Sequence, residues 1–274
     1  MDDKDSWEKL MFARRVVIKV GTSTLTRSTG RLNLRRLNAL AVAISDLMNQ
    51  GVEVILVSSG AVAVGCERLG LSERPGDIIG RQAASSVGQA CLMQIYEKFF
   101  AEYNHKVAQL LLTKDVIDSY SRRANVENTL FRLLSLGVLP VINENDAVST
   151  DELSFTFSEN DTLSAYVALI SRAGLLIILS DVDGLYDSDP KKNPDAKVIP
   201  LVMRVDAEIE KYAGGPGDGF GSGGMLSKLS AVKLAADAGI DVVIASGENP
   251  AVIFDIMEGK PVGTLFAASK ARTE

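Results

Sequence analysis

The sequence predicts an α/β protein, an αβα sandwich with a mostly parallel central sheet. Three observations support this fold class. Short apolar runs of strand length alternate with longer segments whose apolar residues recur at helical spacing. Most connections between them are short, as in sheets whose parallel strands are joined by crossover helices. With 274 residues, 46% of them hydrophobic, the chain can bury a substantial core.

The N-terminal part of the chain supplies most of the predicted elements. Its strands are apolar runs at 16–20, 52–57, 107–112 and 138–142. Its helices carry apolar residues three and four positions apart, at 34–49, 62–69, 79–103, 125–136 and 161–172. The turns 21–23 and 58–60 end the first two strands, and 147–158 is predicted as a hairpin or loop.

The C-terminal part continues the alternation. Further strands are predicted at 175–179, 241–245 and 262–266, and further helices at 225–238 and 251–258. The stretch 180–194, rich in Asp, Gly and Pro, is predicted as a long connection. A dividing line near Arg172 separates an N-terminal lobe, 1–172, from a C-terminal lobe, 173–274. Polar clusters follow the carboxyl ends of the strands, where open α/β sheets bind ligands, so we expect a shared cleft within one domain.

Composition and charge exclude several classes of protein. There are 29 basic and 35 acidic side chains, and the net charge of −6 argues against a nucleic-acid groove. Cys66 and Cys91 are not closely spaced, which speaks against a disulfide framework or a zinc site and fits a reducing, cytoplasmic compartment. The acidic N-terminus lacks the apolar stretch of a secretory signal. No apolar run approaches the ~20 residues that a membrane span requires.

Two lysines lie beside glycine-rich turns. Lys19 interrupts an apolar strand just before Gly21 and is either an edge lysine that reaches solvent or a lysine that neutralises phosphate charge. The glycine-rich run 214–225 leads into a helix that carries Lys228. This run is either a surface linker or a helix N-terminus that binds phosphate. It matches neither the P-loop spacing nor the dinucleotide fingerprint.

Two polar clusters supply further candidates. The residues 143–146, Asn-Glu-Asn-Asp, form either a surface turn or a binding site, and Asn160 and Asp161 either cap a helix or bind substrate. His105, the only histidine, is interpreted as a structural residue or a surface residue. A carboxylate acceptor is already ionised and needs no general base. Two lysines with amide and carboxylate groups therefore suit phosphoryl transfer to a carboxylate.

These motifs resemble those of the glutamate 5-kinases, a branch of the amino-acid kinase family. The resemblance runs from about Val16 to Phe266. It rests on VIKVGTS at 17–23, VSSGAVAVG at 57–65, PVINENDAV at 140–148, ENDTLSA at 159–165, LSDVDGLY at 179–186 and GSGGMLSK at 221–228. The combination of INENDAV with GGMxxK is specific to this branch.

The resemblance implies a phosphotransferase that makes L-glutamyl 5-phosphate from ATP and L-glutamate, the first step of proline biosynthesis. It implies that Lys19 and Lys228 stabilise the transferring phosphoryl group while Asp161 holds both lysines. Glutamate would be bound by Ser59, Asp146 and Asn160 in the N-terminal lobe. The nucleotide would be bound in the C-terminal lobe by Lys19, Ser180, Asp181, Ser222, Gly223, Gly224, Met225, Leu226, Ser227 and Lys228. Mg²⁺ would arrive on the phosphates rather than in a protein cage.

The resemblance also implies that proline is a feedback inhibitor and that the protein is a homo-oligomer, either a dimer or a tetramer. It further implies coupling to glutamyl phosphate reductase. Neither nucleic acid nor a membrane is an expected partner. The chain departs from the family pattern at Glu159, where aspartate is common, and at Ser180, where threonine is common. It also lacks the C-terminal RNA-binding-like domain of many members, so we expect a short form or the kinase part of a fused enzyme. A kinase for aspartate or N-acetylglutamate and a non-catalytic sensor are the alternatives.

Overall fold

The computed structural model describes residues 3–27, 29–148, 160–190, 192–213 and 223–269. Eight strands form one sheet in the order β3-β4-β2-β1-β5-β7-β8-β6. They are β1 Arg15–Val20, β2 Glu53–Ser58, β3 Val107–Leu112, β4 Leu139–Glu144, β5 Leu175–Ser180, β6 Leu201–Val202, β7 Asp241–Ser246 and β8 Thr264–Phe266. All neighbouring pairs are parallel except β7 and β8. The predicted α/β class with a mostly parallel sheet is confirmed.

Helices cover both faces of this sheet. The described helices are α1 Asp3–Glu8, α2 Thr22–Leu25, α3 Leu34–Asn49, α4 Ala61–Arg68, α5 Ile78–Ala101, α6 Lys114–Asp118, α7 Tyr120–Ser135, α8 Asn160–Ser171, α9 Ala207–Tyr212, α10 Gly223–Asp237 and α11 Val252–Met257. Short 3-10 turns cover Lys9–Phe12 and Asp146–Val148. Among the described residues, no helix combines the length and apolar character needed to cross a bilayer.

Most predicted elements are present with small shifts at their ends. Helix 34–49 and strand 107–112 have the predicted limits. The prediction missed α1, α6, α9 and the two-residue β6, all short, and it began α7 five residues late. The predicted turn 21–23 is the start of the short helix α2, and strand 262–266 shortens to β8. Of the predicted hairpin 147–158, the segment 149–158 lies outside the described residues.

Side-chain alternation along β1 assigns its residues to the two faces of the sheet. Val16, Ile18 and Val20 belong to an apolar cluster packed by α3, α5 and α11. Val17 belongs to the cluster on the other face, packed by α7, α8 and α10. Because side chains alternate along a strand, Lys19 lies on the same face as Val17. It is also the last residue but one of β1, so its ammonium group is at the carboxyl edge, below α8 and α10.

Helices α4 and α5 pack with their backbones very close together. A Cβ atom built on Gly65 of α4 would lie 1.7 Å from the carbonyl oxygen of Ala84 in α5. A Cβ atom on Gly88 of α5 would lie 1.8 Å from the carbonyl oxygen of Ala61 in α4. Neither position accommodates a side chain without movement of the backbone. These two glycines therefore fix where α4, and the turn before it, lies relative to α5.

Candidate active site

The carboxyl ends of β1, β2 and β4 meet at one edge of the sheet and surround a cavity of about 750 Å³. Its walls include six of the side chains predicted from the sequence. These are Lys19, Ser59, Asp146, Asn160, Asp161 and Lys228. Strands β1, β2 and β4 are consecutive neighbours in the sheet, so polar residues that are distant in sequence converge there.

A cluster of three buried charges forms the inner wall of the cavity. The ammonium nitrogen of Lys19 lies 2.5 Å from Oδ1 of Asp161, and that of Lys228 lies 3.3 Å from Oδ2. The side chains of Lys19, Lys228 and Asp161 are 7%, 9% and 0% exposed. Lys228 also donates a hydrogen bond to the carbonyl oxygen of Gly224, at 3.2 Å. The three residues come from β1, α8 and α10, all on one face of the sheet.

The charges of this cluster do not balance. Among the residues that the structure describes, two ammonium groups face one carboxylate, which leaves one positive charge largely removed from water. A buried charge without a counter-charge is costly, so the arrangement favours a ligand that brings negative charge. A phosphoryl group in transfer has that property. Its oxygens carry negative charge and accept hydrogen bonds from the ammonium groups.

A network of amides forms the floor of the cavity. Nδ2 of Asn160 lies within hydrogen-bond distance of the carbonyl oxygen of Ser58 (2.7 Å), Oγ of Ser59 (2.9 Å) and Oδ1 of Asn143 (2.8 Å). Nδ2 of Asn143 in turn donates to Oε1 of Gln89, at 2.8 Å. The amide nitrogen of Asn160 is therefore fully engaged with the protein, while its oxygen accepts no hydrogen bond from the residues that the structure describes.

Asp146 lies in the 3-10 turn that follows β4 and lines the same cavity. Its Oδ2 accepts a hydrogen bond from Oγ of Ser85 on α5, at 2.5 Å. Burial raises the pKa of this carboxyl above its ordinary value, although the hydrogen bond from Ser85 and the positive charge of Arg74 both lower it. Asp146 thus supplies a partly desolvated carboxylate, which suits a cationic group of a ligand.

The start of α4 contributes backbone donors to the cavity. Gly60, which precedes the helix, has φ of +92°, a left-handed conformation that glycine adopts without strain. No side chain caps this helix end, and Ala61, Val62 and Ala63 of its first turn line the cavity. The first N–H groups of a helix have no partner within it and favour negative charge. A carboxylate is the complementary group.

Of the described residues that were predicted to bind the nucleotide, only Lys19 and Lys228 line this cavity. Ser180 ends β5, beside β1, and its Oγ donates to Oδ1 of Asp181 at 2.9 Å. The segment Gly223 to Lys228 forms the first turns of α10, and Gly224, Met225, Leu226 and Ser227 are half-buried there. Ser222 and Glu159 lie outside the described residues.

Sequence reasoning missed several residues that complete the site. Arg31 and Arg74 line the cavity mouth. Asn143 was noticed within a polar cluster but was not assigned to the site. Ser85 and Gln89 were missed altogether, and the only signal for them is a pair of polar residues four positions apart in a long helix. Within the described part of the chain, no group of three His, Cys, Asp or Glu residues could hold a metal ion.

Comparisons with known proteins show which family the chain resembles over most of its length. The model of the amino acid kinase family matches residues 14–246. A glutamate 5-kinase of Clostridium perfringens is 50% identical over 260 residues, which cover 94% of this chain and 97% of that protein. One from Listeria innocua is 51% identical over 265 residues, 96% of each chain.

Solved structures show the same fold at low sequence identity. Carbamate kinase from Giardia lamblia, bound to AMP-PNP, has a TM-score of 0.67 and 15% identity, covering 94% of this chain and 100% of that one. UMP kinase from Bacillus anthracis has a TM-score of 0.62 and 20% identity, with 94% and 97% covered.

Proposed function

Because this chain belongs to the amino-acid kinase family, we propose that its cavity is where ATP phosphorylates the side-chain carboxylate of L-glutamate. The protein is a kinase, and its relatives at about 50% identity over nearly the whole chain are glutamate 5-kinases. Its reaction is the first step of proline biosynthesis. The observation that carries the proposal is the buried cluster of Lys19, Asp161 and Lys228, with its unbalanced positive charge.

The chemistry requires positioning and charge stabilisation. An oxygen of the glutamate γ-carboxylate attacks the γ-phosphorus of ATP, and the bond from that phosphorus to the bridging oxygen of ADP breaks. No proton has to be removed, because the acceptor is ionised at neutral pH. Lys19 and Lys228 stabilise the negative charge on the phosphoryl oxygens during transfer, and Asp161 keeps both ammonium groups in place.

The substrate groups match the walls of the cavity. Asp146 and the amide oxygen of Asn160 accept hydrogen bonds from the α-ammonium group, and Ser59 adds a hydroxyl beside them. The first-turn amides of α4 face the α-carboxylate. This arrangement directs the γ-carboxylate towards Lys19. A substrate without a free ammonium group, such as N-acetylglutamate, leaves the carboxylate of Asp146 unpaired.

Kinase activity implies ATP with Mg²⁺. We assign the nucleotide to the carboxyl end of β5 and the start of α10. Ser180 and Asp181 contact it from β5, and Ser222, Gly223, Gly224, Met225, Leu226 and Ser227 from the segment before Lys228. The phosphate oxygens hold most of the Mg²⁺ coordination, as is usual for this ion. The division into an amino-acid lobe and a nucleotide lobe is part of this proposal.

Three further properties are proposed on the same basis. Proline, which carries an α-carboxylate and a cationic amine, competes with glutamate for the cavity. The protein is a homo-oligomer, either a dimer or a tetramer. Its acyl phosphate product is handed to a reductase, because such mixed anhydrides react readily with water.

The activity is tested by trapping the acyl phosphate with hydroxylamine. Purified protein is incubated with ATP, Mg²⁺ and glutamate, aspartate or N-acetylglutamate in parallel. We expect hydroxamate with glutamate, and little with the other two acids. Lys19→Ala and Lys228→Ala should each lower kcat by at least ~10²-fold, the effect of removing one preorganised donor. No hydroxamate from glutamate, or near-normal turnover in either variant, contradicts the proposal.

A further inference from the structure

The long helix α5 carries three buried polar side chains on one face. Ser85, Gln89 and Tyr96 are 4%, 8% and 1% exposed. At about 100° per residue, Gln89 and Tyr96 lie roughly 40° and 20° from Ser85 around the helix axis. We call these three residues the α5 polar row. Burial of polar groups is costly unless each finds a hydrogen-bond partner, so their partners indicate what the row does.

All partners of the α5 polar row belong to the amino-acid side of the cavity. Ser85 donates to Asp146, and Gln89 accepts from Asn143. The hydroxyl oxygens of Tyr96 and Ser58 lie 2.8 Å apart. These partners lie at the ends of β2 and β4 and in the turn after β4. Polar side chains of one helix thus contact the ends of β2 and β4 and the turn after β4.

The hydrogen bonds fix the orientation of both floor amides. Oδ1 of Asn143 accepts from the backbone N–H of Glu144, at 2.9 Å, and a backbone N–H can only donate. Nδ2 of Asn143 must therefore point the other way, towards the acceptor on Gln89. At the far end, Nδ2 of Asn160 donates to the carbonyl oxygen of Ser58, which can only accept. Within the described residues, nothing donates to Oδ1 of Asn160.

We propose that Gln89 is a positioning residue for the amino-acid substrate. By accepting from Asn143, it holds the Asn143 oxygen against Asn160, and so keeps the Asn160 amide oxygen available to the substrate ammonium group. Gln89 itself does not line the cavity. The inference rests on the proposed function, because it requires a substrate with an ammonium group in this cavity.

The test replaces Gln89 with methionine, which has similar length and no comparable acceptor. We expect the KM for glutamate to rise about 10-fold, the effect of a buried amide donor left without its partner. The KM for ATP should change less than ~2-fold, because the nucleotide residues lie outside the network. If Gln89→Met does not fold, Gln89→Asn is the second variant. Its side chain is one methylene shorter, so the amide oxygen no longer reaches Asn143, and we expect the same rise in the KM for glutamate.

Two control variants separate positioning from stability. Gln94→Met makes the same change at an exposed site of α5, and we expect both KM values to stay at wild-type level. Leu92→Ala removes a buried apolar side chain from α5, so it should lower the melting temperature without raising the KM for glutamate selectively.

A double-mutant cycle identifies the route of the effect. If Gln89 acts through Asn143, Gln89→Met should add almost nothing to the KM for glutamate in an Asn143→Ala background. The inference is overturned by a wild-type KM in Gln89→Met, by an equal rise for ATP, or by the same rise in both backgrounds. These outcomes concern Gln89 alone, because the proposed function fails only if the wild-type protein does not phosphorylate glutamate.

Discussion

Asp146 and Asp161 are two carboxylates in one cavity with different surroundings. Asp161 is fully buried and lies between two lysines, whereas Asp146 is partly buried and is hydrogen-bonded to a serine hydroxyl. Both oxygens of the first carboxylate face lysine ammonium groups. The second carboxylate keeps one oxygen for a ligand. At the scale of residues, the same functional group therefore holds two lysines in one place and, on the proposed function, receives the substrate ammonium group in the other.

We expect the affinity for glutamate to depend on the ionisation of Asp146. Its pKa is raised by burial, so its carboxylate becomes protonated at a higher pH than an ordinary aspartate as the solution is acidified. Protonation removes the counter-charge of the ammonium group. The kcat/KM for glutamate should consequently fall on the acid side, beginning above the range in which an ordinary aspartate titrates, while the KM for ATP stays nearly constant.

Asp146→Asn is the matched variant for this profile. At pH 8 it should raise the KM for glutamate ~30-fold or more, since an ammonium group without its counter-charge costs about 2–5 kcal/mol. The fall of kcat/KM at acid pH that is due to Asp146 should disappear. Only the fall due to protonation of the substrate's own carboxylate should remain. An unchanged fall at acid pH in Asp146→Asn, or a variant affected only in its KM for ATP, rules out this role.

At the residue scale, a site residue could be predicted from the sequence when its own surroundings in the sequence were unusual. Lys19 and Lys228 stood out in the sequence because each lies beside a glycine-rich turn, whereas the role of Asp161 towards them came from the resemblance to the family. Gln89 did not stand out, since its role depends on an amide of β4 that comes close only when the sheet is assembled. No periodicity or spacing in the sequence links the two.

At the scale of elements, the crossing of α4 and α5 sets the geometry of the amino-acid side. The turn before α4 carries Ser59, and α5 carries the polar row. The two glycines at the crossing, Gly65 and Gly88, bring these groups together, because larger residues would separate the helices.

Gly88→Ala should therefore destabilise the protein and weaken glutamate binding together. The added Cβ would lie 1.8 Å from the carbonyl oxygen of Ala61, so one helix must move. Overpacking of this kind costs ~1–3 kcal/mol or more. Thermal denaturation and the KM for glutamate give the two measurements. Gly174→Ala is the control, because its Cβ would meet no atom within 4 Å and should leave both unchanged. Wild-type stability in Gly88→Ala would show that the crossing tolerates a side chain.

The elements that sequence analysis missed have a common physical cause. α1, α6, α9 and β6 have between two and six residues, too few for a hydrophobic period to be recognised. α7 began earlier than predicted because its first turn, from Tyr120 to Arg123, is polar and exposed. By contrast, α3, a long helix with one buried face, was predicted to the residue.

At the scale of the whole molecule, one continuous sheet carries both halves of the site. β1 pairs with β2 on one side and with β5 on the other. Lys19 on β1 therefore lies between the amino-acid residues and those assigned to the nucleotide. The apolar runs predicted this parallel centre. They did not predict that β8 runs antiparallel to β7, since strand direction depends on the path of the connection between them.

Ligand binding to the cavity should stabilise the whole fold. If proline shares the glutamate site, it should raise the apparent KM for glutamate without lowering kcat. It should also raise the melting temperature. At a proline concentration 100 times its dissociation constant, the free energy of unfolding should increase by ~2.7 kcal/mol. N-acetylproline is the control, because it lacks the cationic amine and should have neither effect. Asp146→Asn should also lose the proline shift. Inhibition that glutamate does not relieve would place proline elsewhere.

The charge cluster has a consequence for synthesis on the ribosome. Lys19 on β1 and Asp161 on α8 are synthesised before Lys228, which arrives with α10. A nascent chain that has folded through α8 holds a neutral pair of one lysine and one aspartate. The extra positive charge that attracts a phosphoryl group appears only when α10 docks on the sheet. On the proposed roles, a chain that has not yet added α10 lacks one of the two lysines that stabilise the transferring phosphoryl group, so α10 is the helix that completes the charge cluster.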